Sequence, residues 1–541
     1  MTRHSNLVGR TAVSLLAIAV FLEGAATMSA TELPNDARRI IYNSDSGNAL
    51  SEFTTGKKDV EQIKAVLAEC IDEIADGGVD TFSVVLSTRF FSEIGPSKVL
   101  ESAWEHMGGW SQEGWRRLNE AGIDPRKLIA DRCHERGMEF IGCIRMNDRH
   151  GGPVGKIIRD NPDWHLRELS GGPAVDYAQG PVRELLLAYI EELFGAVEVD
   201  GIVFDYLRWG HMFRPGEGPG NAHLLTDFTR KARKLLDEAS ARRGQRRLTL
   251  GVRVPQTFNE CERLGYDVAT WIKEELVDYV IPSDFFHTDL NAEVGEFVRL
   301  TKGTNCRIYP SIHPLISRLN SEALMNLSNY RAAAHSFYAA GAAGVETYNY
   351  QYHWGKRLAS GRPAPATMWP AALGYLRKLR DPKEIARHDR HYLFHPIWPH
   401  PSQTGVAHDD RIRIDRAKGT VQGSQVFRLF EDGTDPGFRA VLQFKAVGLH
   451  DKEALEIGLN GVAIPANRIT RRFDGDGQNK WQGCELPAFF LYIVDLDHRL
   501  PAKVLVRGDN KLTVGVVGTE KNAEGTVTID ELELYVYVKE R

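Results

Sequence analysis

The chain has 541 residues, 42% of them hydrophobic and 26% charged, with a net charge of -5 and a pI near 6.4. That length is too great for one ordinary domain and accommodates a barrel of about 250 to 350 residues with a smaller partner. With no basic excess and no Lys/Arg-rich run interleaved with aromatics, nothing points to a nucleic-acid partner.

Arg3 and Arg10 precede an apolar run from Thr11 to Leu22, after which Gly24, Ala25, Ala26, Ser29 and Ala30 offer small-residue cleavage sites. This is the pattern of an export signal over residues 1–30, too short for a comfortable membrane span. The expectation is a mature chain starting near Thr31, secreted or periplasmic, with an uncleaved anchor as the alternative. The six cysteines (Cys70, Cys133, Cys143, Cys261, Cys306 and Cys484) are irregularly spaced and contain no Cys-x-x-Cys. Neither a zinc site nor a disulfide framework is signalled, and no metal or cofactor is expected.

From Arg38 onward, strand-like and helix-like runs alternate, the pattern of a parallel sheet wrapped by helices. The strands expected are Ile40 to Asn43, Thr81 to Ser87, Glu139 to Arg145, Gly201 to Asp205, Leu248 to Val254, Tyr279 to Ser283, Arg307 to Ile312 and Gly344 to Tyr348. Eight such strands close a (β/α)8 TIM barrel. The first helix is read from Val60, Ile63, Leu67, Cys70, Ile71 and Ile74, spaced by three and four. Others are expected over Pro125 to Arg136, Pro181 to Phe194, His223 to Ala239, Val268 to Glu275, Ala292 to Lys302 and Ser321 to Ala340, several ended by Gly137, Gly195, Gly303 or Gly341. Two long loops, Thr88 to Ile123 with Arg89, Trp104, His106, Trp110 and Trp115, and Asn147 to Gln179 with Trp164 and His165, read as walls of a cleft.

The barrel is thus expected over residues 31–394, with a helix near Met368 to Leu379 and a Pro- and His-rich linker over 395–410. From 411 to 541 the period changes to alternation, with turns at Asn460-Gly461, Asp474 to Gly477 and Arg507 to Asn510, so a C-terminal jelly-roll-like β-sandwich is expected.

Side-chain direction alternates along a strand, so the residues sharing the barrel interior can be read off. On the fourth strand Ile202 and Phe204 face the helices, and Gly201, Val203 and Asp205 face inward. The same reading turns Arg145 and Asn147, Arg253, then Arg307, Tyr309, Ser311 and His313, and finally Glu346 and Tyr348 inward, with Asn43 and Asp45 from the first strand. Asn43, Arg145, Asn147, Asp205, Arg253, His313 and Glu346 therefore form a polar ring at the end of the barrel where this fold carries its sites.

Asp205 and Glu346 come from opposite strands, and a carboxylate pair across a cleft suits glycoside hydrolysis, one group donating a proton and the other attacking or activating water. Asp284, just past the sixth strand, is the rival second carboxylate. The arginines and His313 would hold hydroxyls or an acidic group of the sugar, and tryptophan or tyrosine rings would stack on sugar faces.

Arg145-Met146-Asn147-Asp148-Arg149-His150, followed by Asp200-Gly201-Ile202-Val203-Phe204-Asp205-Tyr206-Leu207-Arg208, resembles secreted bacterial family 10-like glycosyl hydrolases. Those proteins have an Arg-Met-Asn-Asp-x-His turn after the third strand and an Asp-Gly-Ile-x-x-Asp-x-x-Arg fourth strand. The resemblance implies a carbohydrate substrate and adds Asp148, His150 and Arg208 to Asn43, Arg145, Asn147, Arg253, His313 and Tyr348 as substrate-binding candidates, and Trp209 joins them from its place on the loop after the fourth strand. Val203 stands where relatives often carry Glu, so a second carboxylate on the fourth strand is absent. A non-catalytic carbohydrate-binding protein on the same scaffold, and a sugar-active lyase or epimerase using His313 or Tyr348 as base, remain the rival readings.

Overall fold

In a computed structural model of the protein, the residues described are 39–44, 59–88, 92–103, 113–148, 156–166, 174–244, 246–284, 287–317, 320–353, 371–394, 411–419, 421–474, 480–481, 484–485, 488–519 and 524–538. The expected export signal, the 395–410 linker, Asp45, Arg89, Trp104, His106, Trp110 and His150 lie outside them.

The strands form where apolar runs of five to eight residues alternate in facing: β1 Arg39–Ser44, β2 Thr81–Thr88, β3 Glu139–Arg145, β4 Gly201–Asp205, β5 Thr249–Pro255, β6 Tyr279–Ser283 and β8 Gly344–Tyr348. The seventh, β7, is broken into Arg307–Ile308 and Ser311–Ile312. Pro310 stands in the gap and has no N–H to give a ladder. All the pairings are parallel, and the sheet curls through the first half of β7, then β6, β5, β4, β3, β2, β1, β8 and the second half of β7.

Helices cover the convex face. Helix α1, Val60–Asp76, opens with a capping box in which Asp59 and Gln62 satisfy each other's backbone N–H, and it buries Ile63, Leu67, Cys70, Ile71 and Ile74. Gly137, Gly303 and Gly341 take positive φ after their helices, as expected. Gly195 instead lies within the helix Gly180–Ala196. The helix expected from Ser321 starts at Leu327, where Asn326 caps it, because Asn320–Leu324 pairs as a strand with Leu315–Ser317. Trp115 is wholly buried in the helix-side core, so it is packing rather than cleft wall.

The concave face has its own apolar cluster of Ile41, Val85, Ile141, Cys143, Val203, Tyr279, Ile281 and Tyr309. Two glycines make room for its large rings. A Cβ on Gly251 would stand 2.1 Å from the Tyr279 ring, and one on Gly344 would stand 2.1 Å from the Arg39 carbonyl and 2.8 Å from the Tyr309 ring. Tyr309 thus faces inward as expected, whereas Arg307, at the N-terminal end of β7, is exposed. Above this cluster, toward the C-terminal strand ends, the concave face turns polar.

Besides a two-stranded sheet of Lys480–Trp481 with Cys484–Glu485, the described C-terminal residues form two larger antiparallel sheets. One orders Arg390–Phe394, Thr526–Tyr537, Arg439–Val447, Phe489–Asp497 and Ile469–Asp474, with Ile412–Asp415 also on Thr526–Tyr537; the other orders Gln422–Leu429, Gly508–Val517, Ala454–Leu459 and Val462–Ala463. Asn460 and Gly461, at φ 50° and 78°, make the tight hairpin that Asn-Gly favours. Arg390–Phe394 therefore belongs to a C-terminal sheet, although its sequence position precedes the expected boundary at 394. Its Tyr392 hydroxyl lies 3.0 Å from His335 Nδ1 on the helix Leu327–Ala339, tying the two parts of the chain together. Among the described residues no helix is long and apolar enough to cross a membrane.

Candidate active site

Strand register builds the site. Arg145 on β3 lies beside Asp205 on β4, and Asp205 lies beside Arg253 on β5. Each is the last or nearly the last inward residue of its strand, so the three side chains form one row at the C-terminal rim. Across the sheet, Tyr348 on β8 lies beside Asn43 on β1, and Glu346, two residues earlier on the same face, lies beside Ser311 on β7.

Asp205 is wholly buried, and its carboxylate accepts hydrogen bonds on both oxygens. Oδ1 accepts from Arg253 Nη1 at 2.9 Å and from the Leu207 backbone N–H at 3.0 Å, and Oδ2 accepts from the Tyr348 hydroxyl at 3.3 Å. Arg253 is fixed in turn: Nε and Nη2 donate to Ser283 Oγ at 3.2 and 3.0 Å, Nη2 donates to the Asp284 carbonyl at 2.7 Å, and its guanidinium carbon stands 3.8 Å from the centre of the Tyr348 ring. Arg145 completes the chain by donating from Nη2 to the Tyr348 hydroxyl at 3.1 Å and pairing through Nη1 with Asp148 at 3.0 Å. Burial and Asp205 raise the Tyr348 phenol above its ordinary range against the pull of the three arginines, so it stays a hydrogen-bond donor.

Glu346 has the opposite surroundings. It is wholly buried, and neither carboxyl oxygen has a hydrogen-bond partner among the described residues. Burial raises its pKa to about 7, with the Asp205 charge adding to the shift and Arg253, Ser311 and Asn43 opposing it. Two acids at one rim thus have contrasting chemistry: one is an ionic acceptor bound to a guanidinium, the other a group that carries its proton near neutral pH. The Ser83, Ser311 and Asn43 oxygens nearby are buried and likewise unpartnered, which makes the wall below the rim polar. Asn43 gives its amide to Cys143 Sγ at 3.8 Å.

His313 is wholly buried, and its ring stands 5.0 Å from that of Tyr348. Burial, reinforced by Arg253, His287 and Arg208, holds its pKa well below the ordinary value. These surroundings hold it as a neutral imidazole. Asp284 is 8% exposed, and its carboxylate caps a turn by accepting the His287 N–H at 3.2 Å while its carbonyl serves Arg253. Asn147 spends both amide protons on the carbonyls of Val175, at 2.9 Å, and His211, at 2.7 Å, so it braces the rim. Arg208 is buried beneath a half-buried Trp209, its guanidinium carbon 5.3 Å from the indole centre.

The structure therefore brings Arg145, Asp205, Arg253 and Tyr348 into one network, with Glu346 and Asn43 below it and His313 beside it. Ser283 and the Leu207 N–H were not singled out by sequence. Alternation places Ser283 inward, but a serine at a strand end carries no signal of its own. No group of three or more His, Cys, Asp or Glu among the described residues is placed to hold a metal ion.

No family model matches the chain, and no curated protein matches it. Among solved structures it is similar to alpha-L-fucosidase isoenzyme 2 from Paenibacillus thiaminolyticus, at 12% identity and a TM-score of 0.41, covering 65% of this chain and 49% of that one. It is similar to the PgaB (BpsB) glycoside hydrolase domain from Bordetella bronchiseptica at 13% identity and a TM-score of 0.41, covering 64% and 99%. An alpha-amylase from Geobacillus thermoleovorans matches at 11% identity and a TM-score of 0.37, covering 90% and 99%. The chain spans about half the length of the fucosidase.

Proposed function

We propose that this chain is an exported glycoside hydrolase of the kind its family 10-like motifs imply. Its curled sheet is read as a closed (β/α)8 barrel joined through β7, and the C-terminal sheets as a β-sandwich that begins near Arg390. Asp205 acts as nucleophile or base and Glu346 as proton donor, with Asp284 the reserve acid. The observation that carries this reading is the contrast between the two carboxyl groups: Asp205 bound to Arg253 and Tyr348, Glu346 unpartnered and raised to about 7. Glycoside hydrolysis needs that division, since one acid must give a proton to the leaving oxygen while the other stays ionised.

The substrate is a carbohydrate, and Arg145 and Arg208 make acidic glycans worth testing early. Complete burial of both carboxyl groups favours a second reading, a carbohydrate-binding protein without turnover. Reducing-end release across neutral, uronic and sulfated oligosaccharides separates the two. The hydrolase reading expects release that Asp205→Asn and Glu346→Gln each abolish, and binding without release from any of the sugars would establish the other.

A further inference from the structure

A loop of the barrel closes the edge of a C-terminal sheet. Among the described residues Gln422–Leu429 pairs on one side only, with Gly508–Val517, so on its other side alternate backbone groups have no ladder to join. Two of them are met by one side chain from the loop after β6. Asn291 Oδ1 accepts the Arg428 N–H at 2.8 Å, and Asn291 Nδ2 donates to the Val426 carbonyl at 3.4 Å, so its amide pairs with the strand edge as a peptide group would. The Arg428 side chain returns to the same loop. Asp509, its neighbour in register, accepts from Nε at 2.7 Å and from Nη2 at 3.3 Å, which turns Nη1 to the carbonyls of Asn291, at 3.2 Å, and Ala292, at 3.0 Å.

The loop held in this way leads straight to the candidate site. Upstream of Asn291, the Thr288 hydroxyl accepts the His313 N–H at 2.8 Å and donates to the His313 carbonyl at 3.1 Å, and the Asp284 carbonyl accepts Arg253 Nη2 at 2.7 Å. Downstream, the Glu293 N–H donates to the Gln256 carbonyl just past β5 at 2.9 Å. A few residues of one loop thus lie between the C-terminal sheet and the groups around Asp205. A second contact falls at the same rim, where Asn320–Leu324, in the hairpin that follows His313, packs against Lys480–Trp481. Holding the two parts together does not require this placement, because the His335–Tyr392 bond already does so on a covering helix, whereas loops after the strands are where this fold does its chemistry.

We infer that Arg428 is a positioning residue of the candidate site, through which the C-terminal domain sets the loop after β6 and with it Arg253 and His313. Its effect on rate rests on the hydrolase reading above, while its hold on the loop is measurable without turnover. The C-terminal domain is then a working part of the site and not an appended module.

The test has two arms, each on the whole chain carrying Arg428→Ala, Arg428→Lys or, as a control, Tyr392→Phe, which loosens the junction away from the loop. In the first, hydrogen exchange is followed without substrate. Arg428→Ala should speed exchange roughly tenfold at the Ala292, Glu293 and His313 N–H groups while β4 stays as slow as in the parent, and Tyr392→Phe should change neither. In the second, reducing-end release by Arg428→Ala should show kcat lower roughly tenfold with KM little changed. Arg428→Lys keeps a cation for the two carbonyls and should recover part of the rate. Unchanged exchange at His313 in Arg428→Ala, an equal effect of Tyr392→Phe, or an unaltered kcat in a chain that does release sugar would each overturn the inference. If the parent releases nothing from any oligosaccharide, the hydrolase reading fails, and the exchange arm alone decides whether Arg428 sets the loop.

Discussion

Asp205 and Arg253 stand side by side on neighbouring strands, both wholly buried, with Nη1 2.9 Å from Oδ1. Neither can be removed alone without stranding the other's charge. Asp205→Asn is therefore expected to cost about 3 kcal/mol of stability, and adding Arg253→Met should recover part of it. A double-mutant cycle in urea checks this: additive losses would mean that the pair is not energetically coupled.

Glu346 gives the folding equilibrium a definite dependence on pH. Its folded pKa of about 7 lies above the ordinary 4.5, so between those values the folded state holds a proton that the unfolded state has released. The stability this group contributes is full below pH 4.5 and is lost as pH rises through 7, by roughly 3 kcal/mol. Glu346→Gln resembles the protonated acid and should flatten that slope without lowering stability near pH 5. Urea midpoints of the two proteins across this range, falling in parallel, would contradict the assignment.

The same proton can be tuned from β7. Ser311 lies beside Glu346 in register, and its hydroxyl dipole, though not hydrogen-bonded to the carboxyl group, favours the ionised form, so Ser311→Ala should move the Glu346 pKa upward. In a rate profile the alkaline limb would shift to higher pH while substrate affinity changed little, a split that a general loosening of the fold would not produce.

At the opposite end of the sheet, His134 Nε2 lies 2.9 Å from Asp200 Oδ2, and that hydrogen bond raises the His134 pKa against partial burial. Its stabilising contribution is full below the ordinary histidine value and is lost as pH rises through the elevated one. His134→Gln should lose stability at pH 6 and little at pH 9, which denaturant midpoints at the two values would show.

The floor of the concave face distinguishes two glycines. Gly251→Ala drives a Cβ into the Tyr279 ring, so Tyr279→Leu in the same chain should restore much of a loss of about 3 kcal/mol. Gly344→Ala meets the Arg39 carbonyl first, and shortening Tyr309 should not rescue it. Melting temperatures of the four variants decide between side-chain and backbone obstruction.

Much of this was legible in sequence. Gly201-Ile202-Val203-Phe204-Asp205 states its strand, its facing and its charged end in five residues, and the same alternation placed Arg145, Arg253, Glu346 and Tyr348 inward. What was hidden depends on partners distant in sequence. That Ser283 holds Arg253 appears only when β5 and β6 pair, and Asn147 is seen as a brace only once the Val175 and His211 carbonyls converge on it. Arg390–Phe394 is recognisable as a strand of the C-terminal sheet only beside Thr526–Tyr537, about 140 residues further along the chain. The continuous strand expected over Arg307 to Ile312 breaks at Pro310, whereas Pro282 lies within an unbroken β6, so a proline does not by itself fix where a strand ends.

The most direct test of the division between the two acids is reducing-end release by the purified chain from Thr31, with Glu346→Gln and Asp205→Asn beside it and melting curves for all three. The account predicts release by the parent and none by a folded Glu346→Gln protein. Undiminished release by that variant would contradict it, because the amide of glutamine at 346 has no acidic proton to transfer to a leaving oxygen.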